Sequence, residues 1–593
     1  MKMKYALDCE TGPYFPSKKQ TNSYALEPYR EEFYVKLVCI IGEGHESVTR
    51  EPEETRAALL NLEKPVVYCH NAIFDISVLI RHVGYDDIKS IEFRDTGLLA
   101  KWINNSQKDE HFRYSLKNCI AKWMEDHPDT EKFISMKDHM EDDDEYWLKR
   151  VIFDTSMTLE LATTLEKLLP PDQRLGYLTE CRCLVPLARG YMRGIKVDYD
   201  VVEYMAVMYG AKVNKGLREL NIAATVVRSP KQLANLVFNR WGIEPEGMTP
   251  SGNPSTNASN LKLMLLKSED QRLATLLEVK SAITVVNKYI NGFLNTREYG
   301  KSEVMHPVPR LFNSYTGRMS YTSKIMKKYQ VGIALHQLPR KDKLVKKAMV
   351  APKGYKFFYA DFAAQEMRLM AQFSEDPVML QAFIDGKDLH SIMTEGIYGT
   401  PYVEIMEKKE TDDEIIDQRN CGKLTNLSSQ YRIGAKSLQT KFFEQYNKIV
   451  TLRESTHYLN TYKKTYRKVP KFWDIAISRV RKNRYSESLM GRRFAITNLD
   501  WKGESSSINQ PIQGSGADLS EIVIAEVHDK FEEAIFQIQV HDSLTWIVPE
   551  EFDVKELDEF INGGIDFQKY FNTELLLKFP LDSASGYNLG ELK

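Results

Sequence analysis

Near the end of the chain, two apolar runs, Ile535-Phe-Gln-Ile-Gln-Val540 and Ser543-Leu-Thr-Trp-Ile-Val548, are separated by only His541-Asp542. Runs rich in β-branched and aromatic residues with a two-residue gap form an antiparallel hairpin. The hairpin carries an aspartate at its tip. A third apolar run, Lys356-Phe-Phe-Tyr-Ala360, ends directly in Asp361. Brought into one sheet, Asp361 and Asp542 become two strand-borne carboxylates able to bridge divalent cations. Taken singly, each is better explained as a loop cap.

A second set of acids lies at the other end of the chain. Asp8-Cys9-Glu10 closes the first apolar strand, and the two-residue period puts both acids on one face. Asp75 follows the strand Pro65-Val-Val-Tyr-Cys69, and Asp154 lies in a stretch with helical Leu/Met spacing. Oxygen ligands from separate elements are what two ions about 3.5–4 Å apart require. Any one of these acids alone reads as a solvated surface charge. Residues 1–170 read as α/β, Pro170-Pro171 marks a break, and 172–300 is mostly helical around a loop at 247–259. From 303 onward strands and helices alternate irregularly, an α+β pattern. An acidic patch at 138–145 reads as a helix start or surface loop.

Length and composition exclude some classes. The 593 residues make roughly three or four domains at about 150 each. No apolar run approaches the ~20 residues of a membrane span. The first eight residues are too short and too soon acidic for a secretory signal, so a cytoplasmic location is expected. Seven cysteines without a CxxC pair argue for a reducing compartment and against zinc, Cys181 and Cys183 included. Net charge is −2, but residues 324–347 carry eight Lys/Arg and 463–484 carry nine, the latter interleaved with Tyr462, Tyr466, Phe472 and Trp473. A phosphate-binding stripe and a solvated basic face fit these stretches equally well. On a helix, Arg419, Lys423 and Leu427 form one slanted stripe, with Tyr431 a turn further on. Its cations suit phosphates, and its apolar and aromatic members suit a sugar and base.

The order of motifs resembles the polymerase I type (family A) of DNA polymerases over 180–593. Asp361-Phe-Ala-Ala-Gln-Glu366-Met-Arg368 is similar to the family's first palm motif and Gln539-Val-His541-Asp542-Ser543 to its third. Arg419, Lys423 and Tyr431 match the fingers helix. Thr316-Gly-Arg318, Asp388-Leu-His390, Gly491-Arg492-Arg493 and Asn509-Gln-Pro-Ile-Gln513 also fall in order. Residues 1–165 resemble the DEDD 3′→5′ exonucleases through Asp8-x-Glu10, Asn71-x-x-Phe74-Asp75, Asp95-Thr96 and Asp154-x-x-x-Thr158-Leu159.

The resemblance implies a ribonuclease H-like α/β exonuclease domain at 1–170 and a right-hand polymerase domain at 171–593. Within the latter it implies a thumb at about 225–300, a palm at 301–375 and 506–593, and fingers at 376–505. It implies two Mg²⁺ ions on Asp361 and Asp542, and two on Asp8, Glu10, Asp75 and Asp154. Arg419, Lys423 and His390 would hold a dNTP, Glu366 would exclude a 2′-hydroxyl, and Tyr431 would stack near the template base. Arg318, Asn509, Gln513 and His541 would follow primer–template DNA along the minor groove. The expected protein is monomeric and cytoplasmic. It has no 5′-nuclease module ahead of Asp8 and no room between Lys280 and Thr316 for a thioredoxin-binding insertion. That architecture resembles phage replicative enzymes.

Four departures stand out. Leu427 replaces an aromatic, Ser505 an Arg and Ser543 a Glu, and Lys149 and Arg150 stand where the exonucleases place His or Tyr. A single-subunit RNA polymerase and a non-catalytic DNA-binding relic remain as alternatives. Glu366 with the nuclease acids weighs against the first. Retention of Asp361, Asp542, Arg419 and Lys423 weighs against the second.

Overall fold

The N-terminal acids sit on a five-stranded sheet in the computed structural model, which describes residues 2–12, 14–15, 20–21, 26–105, 112–138, 143–249, 251–326, 329–339 and 342–592. Its strands are β1 (Met3–Gly12), β2 (Tyr34–Gly42), β3 (His45–Thr49), β4 (Pro65–Cys69) and β5 (Glu92–Asp95), ordered β3-β2-β1-β4-β5. β1 runs antiparallel to β2 and parallel to β4, and β4 is parallel to β5. Helices α1 (Ala72–His82), α2 (Thr96–Asn105) and α3 (Asp144–Leu168) accompany these strands. This is the ribonuclease H-like arrangement expected. Asp143 caps α3 by accepting from the Tyr146 N–H at 2.6 Å. The acidic patch is thus a helix start at its described end. Residues 139–142 of that patch, and 327, 328, 340 and 341 of the first basic stretch, lie outside the described residues.

The next segment is mostly helical and includes α4 (Arg174–Arg182), α5 (Tyr199–Glu219) and α6 (Gln271–Val285). α6 packs on α5 over a small core of its own that includes Leu233, Val237, Leu261, Met264, Leu273 and Leu276.

A second sheet carries the other acids. β6 (Tyr355–Phe362), β7 (Ile535–Val540), β8 (Ser543–Pro549) and β9 (Leu581–Gly586) are ordered β7-β8-β6-β9, antiparallel throughout. β7 and β8 are the hairpin read from the sequence. Between β6 and β7 in sequence come α7 (Leu389–Tyr398), α8 (Asp413–Ser429), which packs on α7, α9 (Lys468–Asn483) and the long α10 (Trp501–Lys530), which packs on α9, β7 and β8. Asp388 and Asp412 cap α7 and α8 through the backbone N–H groups of His390, Glu414 and Ile415.

One buried cluster runs from Tyr5 to Leu592, so the two sheets share a core. The aromatics of 463–484 belong to it. Tyr462, Tyr466, Phe472 and Trp473 are all buried, and the Trp473 indole donates to the Gln430 carbonyl at 2.9 Å. The interleaving seen in sequence is therefore the two faces of amphipathic helices. All seven cysteines are buried and free, Cys181 and Cys183 among them.

Candidate active sites

The register of the second sheet brings the two strand-borne acids together. Asp361 pairs with Ser543, the residue after Asp542, and the Phe362 N–H donates to the Asp542 carbonyl at 3.3 Å. His541, first in the two-residue turn, has φ 59°, a region costly for a residue with a Cβ. The Ser543 hydroxyl closes the turn on the Val540 carbonyl at 2.9 Å. Burial and the adjacent charge of Asp361 push the Asp542 carboxyl up to about 6. Two acids that resist ionising together form a seat for cations.

They line a cleft of about 630 Å³ with Arg318, Glu366, His390, Lys423, Leu427 and His541. Ala364, at φ 55°, starts the helix that presents Glu366. Glu366 is a hub. It accepts from the Tyr431 hydroxyl at 2.7 Å, Arg318 Nη2 at 3.1 Å and Gln430 Nε2 at 3.4 Å. Three residues that the resemblance assigned to base, sugar and groove are thus tied to one another. Glu366 is partly exposed, its side chain at 31%.

On α8 the stripe forms as read, with Lys423 and Leu427 exposed. Arg419 is engaged, at 2.9 Å from Asp388 Oδ2 through both Nε and Nη2. Asp388 is a residue the sequence reading matched without giving it a role. Its position two before His390, at a helix start, was the available signal. Burial, helped by Lys423 and Arg419, lowers His390 to about 4. Asn426 Nδ2 donates to the Leu389 carbonyl at 2.8 Å and faces His390 Nδ1 at 3.3 Å. That contact makes Nδ1 an acceptor and leaves the proton on Nε2. Asn509 and Gln513 lie one turn apart on α10, with Gln513 beside Tyr431.

At the other site, the oxygens of Asp8, Glu10 and Asp154 lie within 4.8 Å of one another, as three ligands of one ion must. Asp75 adjoins them. Its carboxylate accepts from the Cys9 N–H at 3.2 Å, and burial, then the charges of Asp8 and Asp95, raises its pKa well above the usual carboxylate range. Asn71, left-handed at φ 66°, starts α1. Asp95 anchors that turn, accepting from the Ala72 N–H at 2.8 Å and the Leu98 N–H at 3.0 Å. Arg150 enters this site, with Nε 3.1 Å from Glu10 Oε1 and 3.7 Å from Asp154 Oδ2. The sequence showed Arg150 as a missing Tyr; the position holds a guanidinium whose buried Nε stands beside two of the acids without hydrogen-bonding to them.

Comparison with known proteins bears on the family. The profile of DNA polymerase family A matches residues 208–590. The chain is 24% identical to DNA polymerase I of Deinococcus radiodurans over 67% of its own length and 39% of that protein's. It is 24% identical to the Bacillus subtilis DNA polymerase I (70% and 46%) and 25% identical to that of Mycobacterium bovis (77% and 50%). The chain thus spans about two fifths to half the length of these relatives. Among solved structures, the POL domain of Pol1 from M. smegmatis, in complex with DNA primer-template and dNTP, superposes with a TM-score of 0.76 at 20% identity, covering 100% of this chain and 96% of that one. That likeness gives the fold, a right hand of mixed α and β structure. With the matched profile covering well over half its residues, the chain belongs to DNA polymerase family A.

Proposed function

We propose that this chain extends a DNA primer on a DNA template from dNTPs, and that its N-terminal acids remove nucleotides from the primer 3′ end. The observation that carries the first activity is the Asp361–Asp542 pair in a cleft faced by Lys423, His390 and Glu366. The family profile and relatives named DNA polymerase I support it. Bound to Asp361 and Asp542, Mg²⁺ ions would lower the pKa of the primer hydroxyl and neutralise the departing pyrophosphate.

The chain's own residues do the rest. Lys423, and Arg419 once released from Asp388, hold the triphosphate oxygens. His390, neutral at physiological pH, donates from Nε2 without adding charge. Glu366, braced by Arg318 and Tyr431, stands where a 2′-hydroxyl would enter. Arg318, Asn509, Gln513 and His541 test the minor-groove acceptors common to every Watson–Crick pair. Asp8, Glu10, Asp75 and Asp154 fit a nuclease centre of the same two-ion type. The thumb (about 225–300), palm (301–375 and 506–593) and fingers (376–505) follow from this reading. A monomeric state, a cytoplasmic location and a phage replicative role are part of the same proposal. Among the described residues no helix is long and apolar enough to cross a membrane.

One labelled primer–template tests both halves. With dNTPs, Asp361→Ala abolishes extension and Asp8→Ala leaves it intact. Without dNTPs, Asp8→Ala abolishes 3′ shortening and Asp361→Ala leaves it intact. Extension that survives Asp361→Ala defeats the polymerase assignment. rNTPs used as readily as dNTPs favour the RNA polymerase alternative.

A further inference from the structure

The nuclease centre contains a cation of its own. α3 presents Asp154 and, one turn earlier, Arg150, so both side chains reach the end of β1 that bears Asp8 and Glu10. The Arg150 guanidinium lies against the buried Trp147 ring, with Cζ 5.1 Å from the ring centre. Its side chain is only 17% exposed, and Nε stands 3.1 Å from Glu10 Oε1 and 3.7 Å from Asp154 Oδ2. Glu10 and Asp154 are two of the three carboxylates close enough to share one ion.

We propose that Arg150 is a competitor built into the nuclease centre, whose guanidinium and a divalent ion exclude one another at Glu10 and Asp154. The inference rests on reading the four acids as a metal-dependent nuclease site. A divalent ion needs oxygens at about 2.0–2.6 Å and brings two positive charges. A guanidinium already in contact with two of those carboxylates opposes its entry by charge and by volume. The same guanidinium neutralises the acids when no ion is bound. The centre is therefore held closed by its own side chain, and ion loading requires Arg150 to leave the two acids.

The test is calorimetric titration of Mn²⁺ into the full chain carrying Asp361→Ala and Asp542→Ala, which removes the polymerase seat. Adding Arg150→Gln is expected to tighten Mn²⁺ binding by about tenfold or more. Arg150→Lys, which keeps the charge, stays much closer to the parent. Asp8→Ala on the Arg150→Gln background erases the tightened isotherm and so assigns it to this site. Thermal melting gives a second readout. In chelator the Arg150→Gln protein melts lower than the parent, and Mn²⁺ raises its melting temperature by more. Equal or weaker Mn²⁺ affinity in Arg150→Gln overturns the proposal, as does the absence of Asp8-dependent binding in both proteins. Failure of the nuclease reading looks different. Tight, Asp8-dependent binding by Arg150→Gln without 3′ shortening of a primer refutes the nuclease and leaves the competition standing.

Discussion

Asp542 shows how a single carboxyl can be placed for chemistry at the expense of stability. Burial and Asp361 push it from the ordinary 3.8 to about 6. The folded protein then holds that proton more tightly than the unfolded chain. Between pH 3.8 and about 6 the fold binds more protons, and stability falls as pH rises through that window. A raise of about two units corresponds to about 2–3 kcal/mol. In metal-free buffer at pH 7–8, Asp542→Asn should therefore raise the melting temperature while abolishing primer extension. The gain should vanish when both proteins are melted below pH 3.8. A variant no more stable than the parent at pH 7–8 would show that the two acids do not strain the fold. Leu427 is a second residue-scale case. It lines the cleft at 38% exposure, where the family places an aromatic ring. An aromatic side chain offers more contact area to a bound sugar. Leu427→Tyr and Leu427→Phe should shift the ratio of dideoxynucleotide to deoxynucleotide incorporation severalfold, measured by competing the two on one primer. Ratios unchanged in both variants would remove Leu427 from nucleotide selection.

Among the elements, α10 owes its placement to one buried arginine. Arg492 lies in the turn between the short strands Tyr485–Glu487 and Arg493–Ala495 and is fully buried. It contacts Glu180 of α4 at 3.0 Å, and Asp518 and Glu521 of α10 at 3.2 and 2.8 Å. Its guanidinium also stands 4.5 Å from the ring centres of Trp102 and Phe312. Burial raises the pKa of all three acids against the pull of Arg492. Removing the cation strands the acids, whereas neutralising one acid does little. Arg492→Met should cost about 3–5 kcal/mol in urea unfolding and Glu180→Gln far less. Comparable losses would mean that Glu180 is ionised in the fold. This cluster was invisible in the sequence, where Gly491-Arg492-Arg493 was only a family match. Glu180 is 312 residues away, Asp518 and Glu521 are 26 and 29 away, and no local pattern marks a buried charge. The hairpin β7–β8 was legible to within one residue, because β alternation and a two-residue gap are local signals. So were the helix of Asp154 and the faces of Asp8 and Glu10. The burial of the aromatics at 462–473 was not legible, because composition counts residues without assigning them to faces.

Across the whole molecule, the N-terminal sheet is packed onto the rest and not merely tethered to it. The Tyr177 hydroxyl of α4 donates to the Asp95 carbonyl at 3.2 Å, and the Trp102 indole donates to Glu180 at 2.6 Å. Gly176 lets the helix come this close, since a Cβ there would stand 2.4 Å from the Trp102 ring. On the far side Arg189 lies 3.8 Å from the Tyr85 ring centre, and Lys89 pairs with Glu532 at 2.9 Å. The sequence break at Pro170-Pro171 suggested two separable units. The continuous core says that the cut would expose Tyr177, Cys181 and Leu184 and leave Glu180 without Trp102. A fragment of residues 171–593 should therefore melt well below the full chain and bind a hydrophobic dye that the full chain does not. Adding residues 1–170 in trans should restore part of the difference if the two surfaces are complementary. Should the fragment melt with the full chain, the N-terminal sheet contributes nothing to the stability of the hand. The Arg492 cluster would then stabilise the polymerase fold without Trp102. Gly176→Ala probes the seam in the intact chain, because its methyl group meets the Trp102 ring at 2.4 Å, and with it the Met490 carbonyl at 2.9 Å. It should lower the melting temperature toward that of the fragment while leaving Asp361, Asp542 and the cleft in place.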